Sequence, residues 1–281
     1  ANNELVVHVF DDTRSGLQPC GKQCPQREST GCHYTRTTGI WQSVYLEGVG
    51  SSYIKDFCVT TDPDNSRVLL QVEVDGPCEN LNIFATAYAN GKKVGTGKTR
   101  TGWRNGQLVL DLSKKHLWSP DDPFLYDLEV TLKRGWKVVD KVTSYFGLRK
   151  ITIEGAAILI NDEPVFQRTV LDQGFYPDGI WTAPSDADLK RDIELSQAAG
   201  FNGARLHQKV FEPRFLYWAD KLGYLVWGEF PNWGVNVSNP QTSCPIIQEW
   251  QEILRRDRNH PSIVGWCPFN ESAPEAGEVQ K

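Results

Sequence analysis

Hydrophobic and polar positions change their rhythm once along this chain, near residue 147. Before it, between 51 and 150, the period is two. Val68–Val74, Asn82–Tyr88, Gln107–Leu112, Leu125–Leu132 and Lys137–Tyr145 all alternate. Turn formers punctuate them: Asp75-Gly76, Asn90-Gly91, a hairpin signal, and Arg134-Gly135. Short strands at near-regular spacing over about 100 residues predict an immunoglobulin-like β-sandwich. The Cys-Trp-Cys pattern of antibody domains is absent, and no chemistry-bearing cluster stands out. The segment reads as a structural domain.

After Gly147 short apolar runs alternate with stretches of helical period. Val165–Leu171 reads as a strand ending at Asp172-Gln173-Gly174. Ser185-Asp186-Ala187-Asp188 is an N-cap signature, and the helix behind it stops at Gly200. A strand over Phe201–His207 comes next, then a helix carrying Phe215, Leu216, Ala219 and Leu222 up to Gly223. Tyr224–Phe230 is a third strand, Ile246, Trp250, Ile253 and Leu254 mark a third helix, and Ser262–Trp266 is a fourth strand. The order β-α-β-α-β-α-β demands a parallel sheet with right-handed crossovers. Residues 151–281 therefore predict the first half of a (β/α)8 TIM barrel. A doubly wound sheet is the runner-up, but Asp172-Gln173-Gly174-Phe175 is not its Gly-rich phosphate loop. A barrel takes eight such units, and these residues supply four at most. The expectation is that further sequence, the remaining barrel half or a partner chain covers the open side.

Residues 1–50 carry two more candidate strands, 5–10 and 40–47, around a turn-rich loop. Two strands do not make an independent core, so they are expected to complete a sheet elsewhere or to dock on the domains after residue 50. The net charge of −5 has no basic stripe, which argues against nucleic acid as a partner. No apolar run approaches a membrane span of roughly 18 residues, and Ala1 has no charged-then-apolar leader before it. The chain lacks Met altogether, so a fragment or a processed chain is expected. Ten Trp fit a packed core or a sugar-stacking cleft equally well. Of seven Cys, Cys20, Cys24 and Cys32 form a C-x3-C-x7-C-H cluster with His33, open to zinc but more in keeping with free or paired thiols.

Polar residues collect at every predicted strand end: Asp172, then Arg205 and His207, then Glu229 with Trp233 shortly after, then Asn270 and Glu271. The carboxyl ends of parallel strands are where barrels bind ligands. Read without further help, Glu271 and Glu229 are the two carboxylates of the site. Glu229 also reads as a binding residue or as a charge partner for Arg205. Asp172 suits a substrate hydroxyl or a structural hydrogen bond, His207 a ligand contact or a satisfied inner group, and Trp233 a sugar platform or loop packing.

Four stretches together resemble glycoside hydrolase family 2, which holds β-galactosidases, β-glucuronidases and β-mannosidases. Tyr34-Thr35-Arg36-Thr37-Thr38-Gly39-Ile40-Trp41-Gln42-Ser43-Val44 resembles the end of that family's jelly-roll domain. Tyr145-Phe146-Gly147-Leu148-Arg149-Lys150 resembles its junction between sandwich and barrel. Gly200–His207 resembles the second barrel strand, and Asn270-Glu271 the fourth. The resemblance implies three parts: the last strands of a jelly roll over 1–50, an immunoglobulin-like sandwich over 51–150, and a half barrel over 151–281. It also implies a retaining, exo-acting β-glycosidase, most like a β-galactosidase, acting on a carbohydrate substrate. Glu271 matches the acid/base, Asn270 the residue bonding the sugar 2-hydroxyl, and Arg205 and His207 mouth residues that orient the nucleophile or the sugar. The family's nucleophile matches a seventh strand, beyond Lys281. Some relatives bind Mg²⁺ or Na⁺, but no octahedral carboxylate cluster is visible here. A homo-oligomer stays open. The alternative is a non-catalytic carbohydrate-binding or scaffold module.

Overall fold

Seven strands between Tyr53 and Phe146 build two facing sheets in a computed structural model that describes residues 3–272. One sheet has the order β1-β2-β5, from β1 (Tyr53–Asp62), β2 (Arg67–Asp75) and β5 (Asn105–Asp111). The other has the order β4-β3-β6-β7, from β3 (Leu81–Ala89), β4 (Lys92–Arg100), β6 (Tyr126–Arg134) and β7 (Lys137–Phe146). All pairs are antiparallel. The alternation seen in the sequence is the cause. Val68, Leu70, Val72 and Val74 of β2 and Leu81, Ile83, Ala85, Ala87 and Ala89 of β3 point inward and share one core with Tyr126, Leu128, Val130 and Leu132 of β6. The pattern did not mark β1 and β4. A bulge between Ile54 and Asp56 breaks the period of β1, and β4 reads Lys-Lys-Val-Gly-Thr-Gly-Lys-Thr-Arg, with few side chains to bury.

A small antiparallel sheet joins the two parts: β8 (Ile151–Glu154), β9 (Ala157–Ile160) and β10 (Glu163–Pro164). Then comes a four-stranded parallel sheet in sequential order: β11 (Thr169–Asp172), β12 (Gly203–Leu206), β13 (Leu225–Glu229) and β14 (Ile263–Cys267). Its crossovers are α1 (Asp186–Ala198), α2 (Pro213–Leu222) and α3 (Pro240–Asp257). Ser185 caps α1 by accepting the Asp188 N–H, and the left-handed Gly223 ends α2, as the sequence predicted. The strand expected over 165–171 is shorter, because the side chain of Asn202 takes the place of a ladder there. Its Oδ1 accepts the Arg168 N–H at 2.7 Å and its Nδ2 donates to Phe166 O at 2.9 Å. Across β13 and β14, Gly228 leaves room for the indole of its neighbour Trp266, which would stand 2.5 Å from any Cβ added at Gly228.

The sandwich docks on the amino-terminal ends of the parallel strands. Asp220, at 0% exposure, ties the two together. Its carboxylate accepts Tyr145 Oη–H (2.8 Å), His260 Nδ1 (2.6 Å) and the Ser262 N–H (2.9 Å), and its carbonyl accepts Trp118 Nε1–H (2.9 Å). Arg149 donates to Pro261 O and Ile263 O, just ahead of and within β14. The opposite, carboxyl-terminal ends of the strands stay free of the sandwich.

The two amino-terminal strands expected at 5–10 and 40–47 do not form, so the last strands of a jelly roll are not present as strands. Both stretches lack ladder partners, and Leu5, Val6, Phe10, Val44, Tyr45 and Leu46 are exposed. A strand draws its hydrogen bonds from a neighbour, and no strand among the described residues offers one. Between them, residues 11–43 lie on the carboxyl ends of the parallel strands. Asn236 N donates to Gly16 O, Cys20 N to Trp233 O, Gln42 Nε2 to Val210 O and Thr182 Oγ1 to Trp41 O. Tyr34 stacks on Phe175 with centroids 3.8 Å apart.

Candidate active site at the strand carboxyl ends

β13 ends on Glu229, whose side chain is fully buried. Both carboxylate oxygens are engaged. Oε2 accepts Arg205 Nε–H at 2.5 Å, and Oε1 accepts the Gln208 N–H at 3.0 Å and lies 2.8 Å from His207 Nδ1. The chain lifts Gln208 N toward this carboxylate by taking a left-handed turn at Gln208 (φ 55°) directly after β12. Arg205, on β12, is oriented by Glu229 and passes its other arm on: Nη2 donates to Asn270 Oδ1 at 2.5 Å. Burial works against the Arg205 charge, but the bond to Glu229 and the charge of Glu229 win and raise its pKa. Burial likewise holds His207 below its ordinary value, against the pull of the same carboxylate.

Asn270 and Glu271 stand just past β14. Asn232 clamps this turn: its Oδ1 accepts the Asn270 N–H (2.9 Å), and its Nδ2 donates to Asn270 O (3.1 Å) and Ser272 Oγ (3.2 Å). Asn232 is in turn held by Gln208 Nε2–H at 2.8 Å. Glu271 sits in the left-handed region (φ 49°), a conformation a non-glycine residue keeps only when its surroundings impose it, and its side chain is exposed. Asn270 Nδ2 is buried and has no partner among the described residues.

Arg205, His207, Glu229, Asn270 and Trp233 thus form one connected group beside Glu271. Trp233 meets His207 edge-on (5.9 Å between centroids), and its N–H donates to Gln208 Oε1. Asp172 lies one strand away, half-buried. Burial raises its pKa, partly offset by the Gly174 N–H it accepts. Its carbonyl accepts the His207 N–H at 2.7 Å, which links Asp172 to the group. Reading the sequence singled out neither Gln208 nor Asn232. Each stands one to three residues past a strand end, where the signal was available, but neither is ionisable.

The cysteine cluster does not gather as a metal site. Cys20 and Cys24 are buried thiols donating to Gln18 O and Glu28 O, while Cys32 is exposed. Burial pushes the Cys20 thiol up to about 11. No group of three or more His, Cys, Asp or Glu placed to hold a metal occurs among the described residues.

A β-sandwich leading into parallel βα units, with a carboxylate and amides converging at the strand carboxyl ends, defines a barrel-type protein built for polar ligands. Comparison with known proteins makes this specific. Residues 52–149 match the model of glycosyl hydrolases family 2, and residues 151–281 match that family's TIM barrel domain. The chain belongs to glycosyl hydrolases family 2. It is 29% identical over 246 residues to a β-galactosidase of Lactococcus lactis, covering 84% of this chain and 24% of that protein. It is also 29% identical over 255 residues to the β-glucuronidase of Rattus norvegicus, covering 83% of this chain and 36% of that one. Among solved structures it superposes on the β-glucuronidase of Ruminococcus gnavus in complex with a C6-substituted uronic isofagomine. The TM-score is 0.73 at 24% identity, covering 82% of this chain and 40% of that one. The chain therefore spans about a quarter to two fifths of the length of these relatives.

Proposed function

We propose that this chain carries the acid/base half of a retaining β-glycosidase site, within an exo-acting enzyme that hydrolyses terminal β-linked sugars. Glu271 is the acid/base: it protonates the leaving oxygen and afterwards activates water for the second displacement. Asn270 bonds the sugar 2-hydroxyl through Nδ2. Arg205 and His207 order the floor, and Trp233 shapes its edge. Asp172 sits beside the floor as a hydroxyl contact. The sandwich is an immunoglobulin-like support.

The observation that carries this reading is the clamped Asn270-Glu271 turn. Asn232 fixes its backbone, Arg205 fixes the side-chain amide oxygen of Asn270, and the remaining amide donor is buried with no acceptor among the described residues. A buried donor left open costs stability unless a ligand takes it. Glu229 does not serve as the second carboxylate, because Arg205, His207 and Gln208 occupy both its oxygens. We assign the nucleophile to a carboxylate outside the described residues.

Glu271→Gln in the full-length enzyme tests the assignment. Hydrolysis of β-glycosides with poor leaving groups should fall about 10²- to 10⁴-fold, the usual contribution of a positioned acid/base. Activated aryl glycosides, which need little protonation, should lose far less in forming the glycosyl-enzyme. Full activity toward poor leaving groups would remove Glu271 from the role.

A further inference from the structure

Lys22 is buried, at 5% exposure, and belongs to the amino-terminal segment, 211 positions before the aromatic ring it lies on. Its Nζ stands 3.9 Å from the centroid of Trp233. Among the described residues, no carboxylate lies within 4.0 Å of that ammonium and no hydrogen-bond acceptor engages it; its contact is the Trp233 ring. Lys209 shows the contrast. It is buried as deeply, yet its Nζ donates to Gly174 O at 2.6 Å and Trp181 O at 2.7 Å and faces Glu212. Lys209 is a satisfied structural cation; Lys22 has one face on an indole and the rest of its ammonium unspent. The attraction of an ammonium to an indole face does not replace the three hydrogen bonds an ammonium makes in water.

The backbone around Lys22 is pinned to the strand-end face. Cys20 and Gly21 N–H groups both donate to Trp233 O, at 2.8 and 3.2 Å, and Tyr34 N donates to Lys22 O at 2.8 Å. Gly21 lies in the left-handed region (φ 56°), and a Cβ there would fall 2.2 Å from Gln208 O. The segment is pressed against the same Gln208 that braces Glu229 and Asn232. The fold therefore spends a tight turn on bringing this one cation to Trp233, whose ring also meets His207.

We propose that Lys22 is a substrate-contacting, specificity-determining residue whose ammonium, standing on Trp233, donates to an oxygen of the bound sugar, a hydroxyl or a carboxylate. The proposal rests on the glycosidase reading above and adds to it a contact supplied by the amino-terminal segment. It also gives that segment a reason to lie on the barrel face rather than apart from it.

The test uses the full-length enzyme with Lys22→Met and Lys22→Arg. The readout is kcat and KM on 4-nitrophenyl β-D-galactoside and 4-nitrophenyl β-D-glucuronide, with the melting temperature of each variant. Lys22→Met should lower kcat/KM about ten- to hundredfold on the substrate the wild type prefers, the size of a lost hydrogen bond to a charged group. KM should carry most of the change, the melting temperature should hold, and Lys22→Arg should recover part of the loss. A larger loss on the glucuronide assigns the acceptor as a carboxylate, and a larger loss on the galactoside assigns it as a hydroxyl. Unchanged kcat/KM in Lys22→Met, or a loss that tracks a lowered melting temperature with KM constant, overturns the proposal while leaving the glycosidase reading intact. A wild type that cleaves neither of these nor the 4-nitrophenyl β-D-mannoside and β-D-glucoside overturns both.

Discussion

Replacing Glu229 by Gln keeps the shape of the side chain and removes its charge. The carboxylate accepts from Arg205 on one oxygen and from Gln208 N, with His207 alongside, on the other. An amide has only one acceptor oxygen. If that oxygen stays with Gln208 N, the new NH2 faces the Arg205 guanidinium, donor against donor. If it turns to Arg205, the NH2 faces the Gln208 N–H. Either way one hydrogen bond to a charged group is lost, worth about 1.5–3 kcal/mol, and a buried donor is stranded at about 1–3 kcal/mol. Arg205 is one third exposed, so solvent screens part of its loss and the lower ends of these ranges apply. The sum is about 2.5 kcal/mol. For a unit of this size that is about 5–10 °C in melting temperature.

The same change releases Arg205 from its anchor, and Arg205 orients Asn270. Activity should therefore drop together with stability, although Glu229 itself touches no substrate in this reading. Urea unfolding of Glu229→Gln beside the wild type measures the first effect, and kcat/KM of the full-length enzyme the second. A variant within about 0.5 kcal/mol of wild type, the ordinary range of a substitution that removes no buried partner, with normal activity, would refute the buried-anchor account.

Two further outcomes rest on the same structure. His207 is held below its ordinary pKa of 6.5 by burial, so as the pH falls past that value the unfolded chain takes up the proton first. Its contribution is full above pH 6.5 and is lost as the pH falls through the lower folded-state value, at a slope of no more than about 1.4 kcal/mol per pH unit. Unfolding free energies measured from neutral pH down into the carboxylate range should show this slope, and His207→Gln should reduce it. Asp220→Ala removes the acceptor of Tyr145, His260 and the Ser262 N–H at the seam between sandwich and barrel, at a cost of about 3–5 kcal/mol. Calorimetry should then show two unfolding transitions where the wild type has more nearly one, and a single unshifted transition would count against Asp220 as the seam.

What was legible in the sequence had a local cause. Strands β2, β3, β5 and β6 announce themselves because each buries alternate side chains in one core, β7 more weakly because only Phe146 of it is fully buried, and α1 and α2 because capping residues and glycine stops lie within a few positions of the pattern they bound. The strand-end rule placed Arg205, Glu229, Asn270 and Glu271 together because a parallel sheet delivers all its carboxyl ends to one side. The same local grammar marks 5–10 and 40–47 as strands, and neither stretch forms one among the described residues. An apolar or alternating run states which faces differ, not that a partner strand stands beside it. It was equally silent on the surroundings of Glu229. Position alone offers it as a second carboxylate, and only the fold shows that Arg205 and Gln208 donate to its two oxygens with His207 Nδ1 alongside. The amino-terminal segment is the extreme case. Nothing in the residues flanking Lys22 says that it will lie on Trp233, because the contact is made by a glycine turn fitting against Gln208 O. A site assembled this way depends on residues whose importance is visible only from across the fold. The Asn270-Glu271 turn is such a case: it stands on Asn232, Gln208 and the segment that presses on Gln208, three supports that lie outside the turn itself.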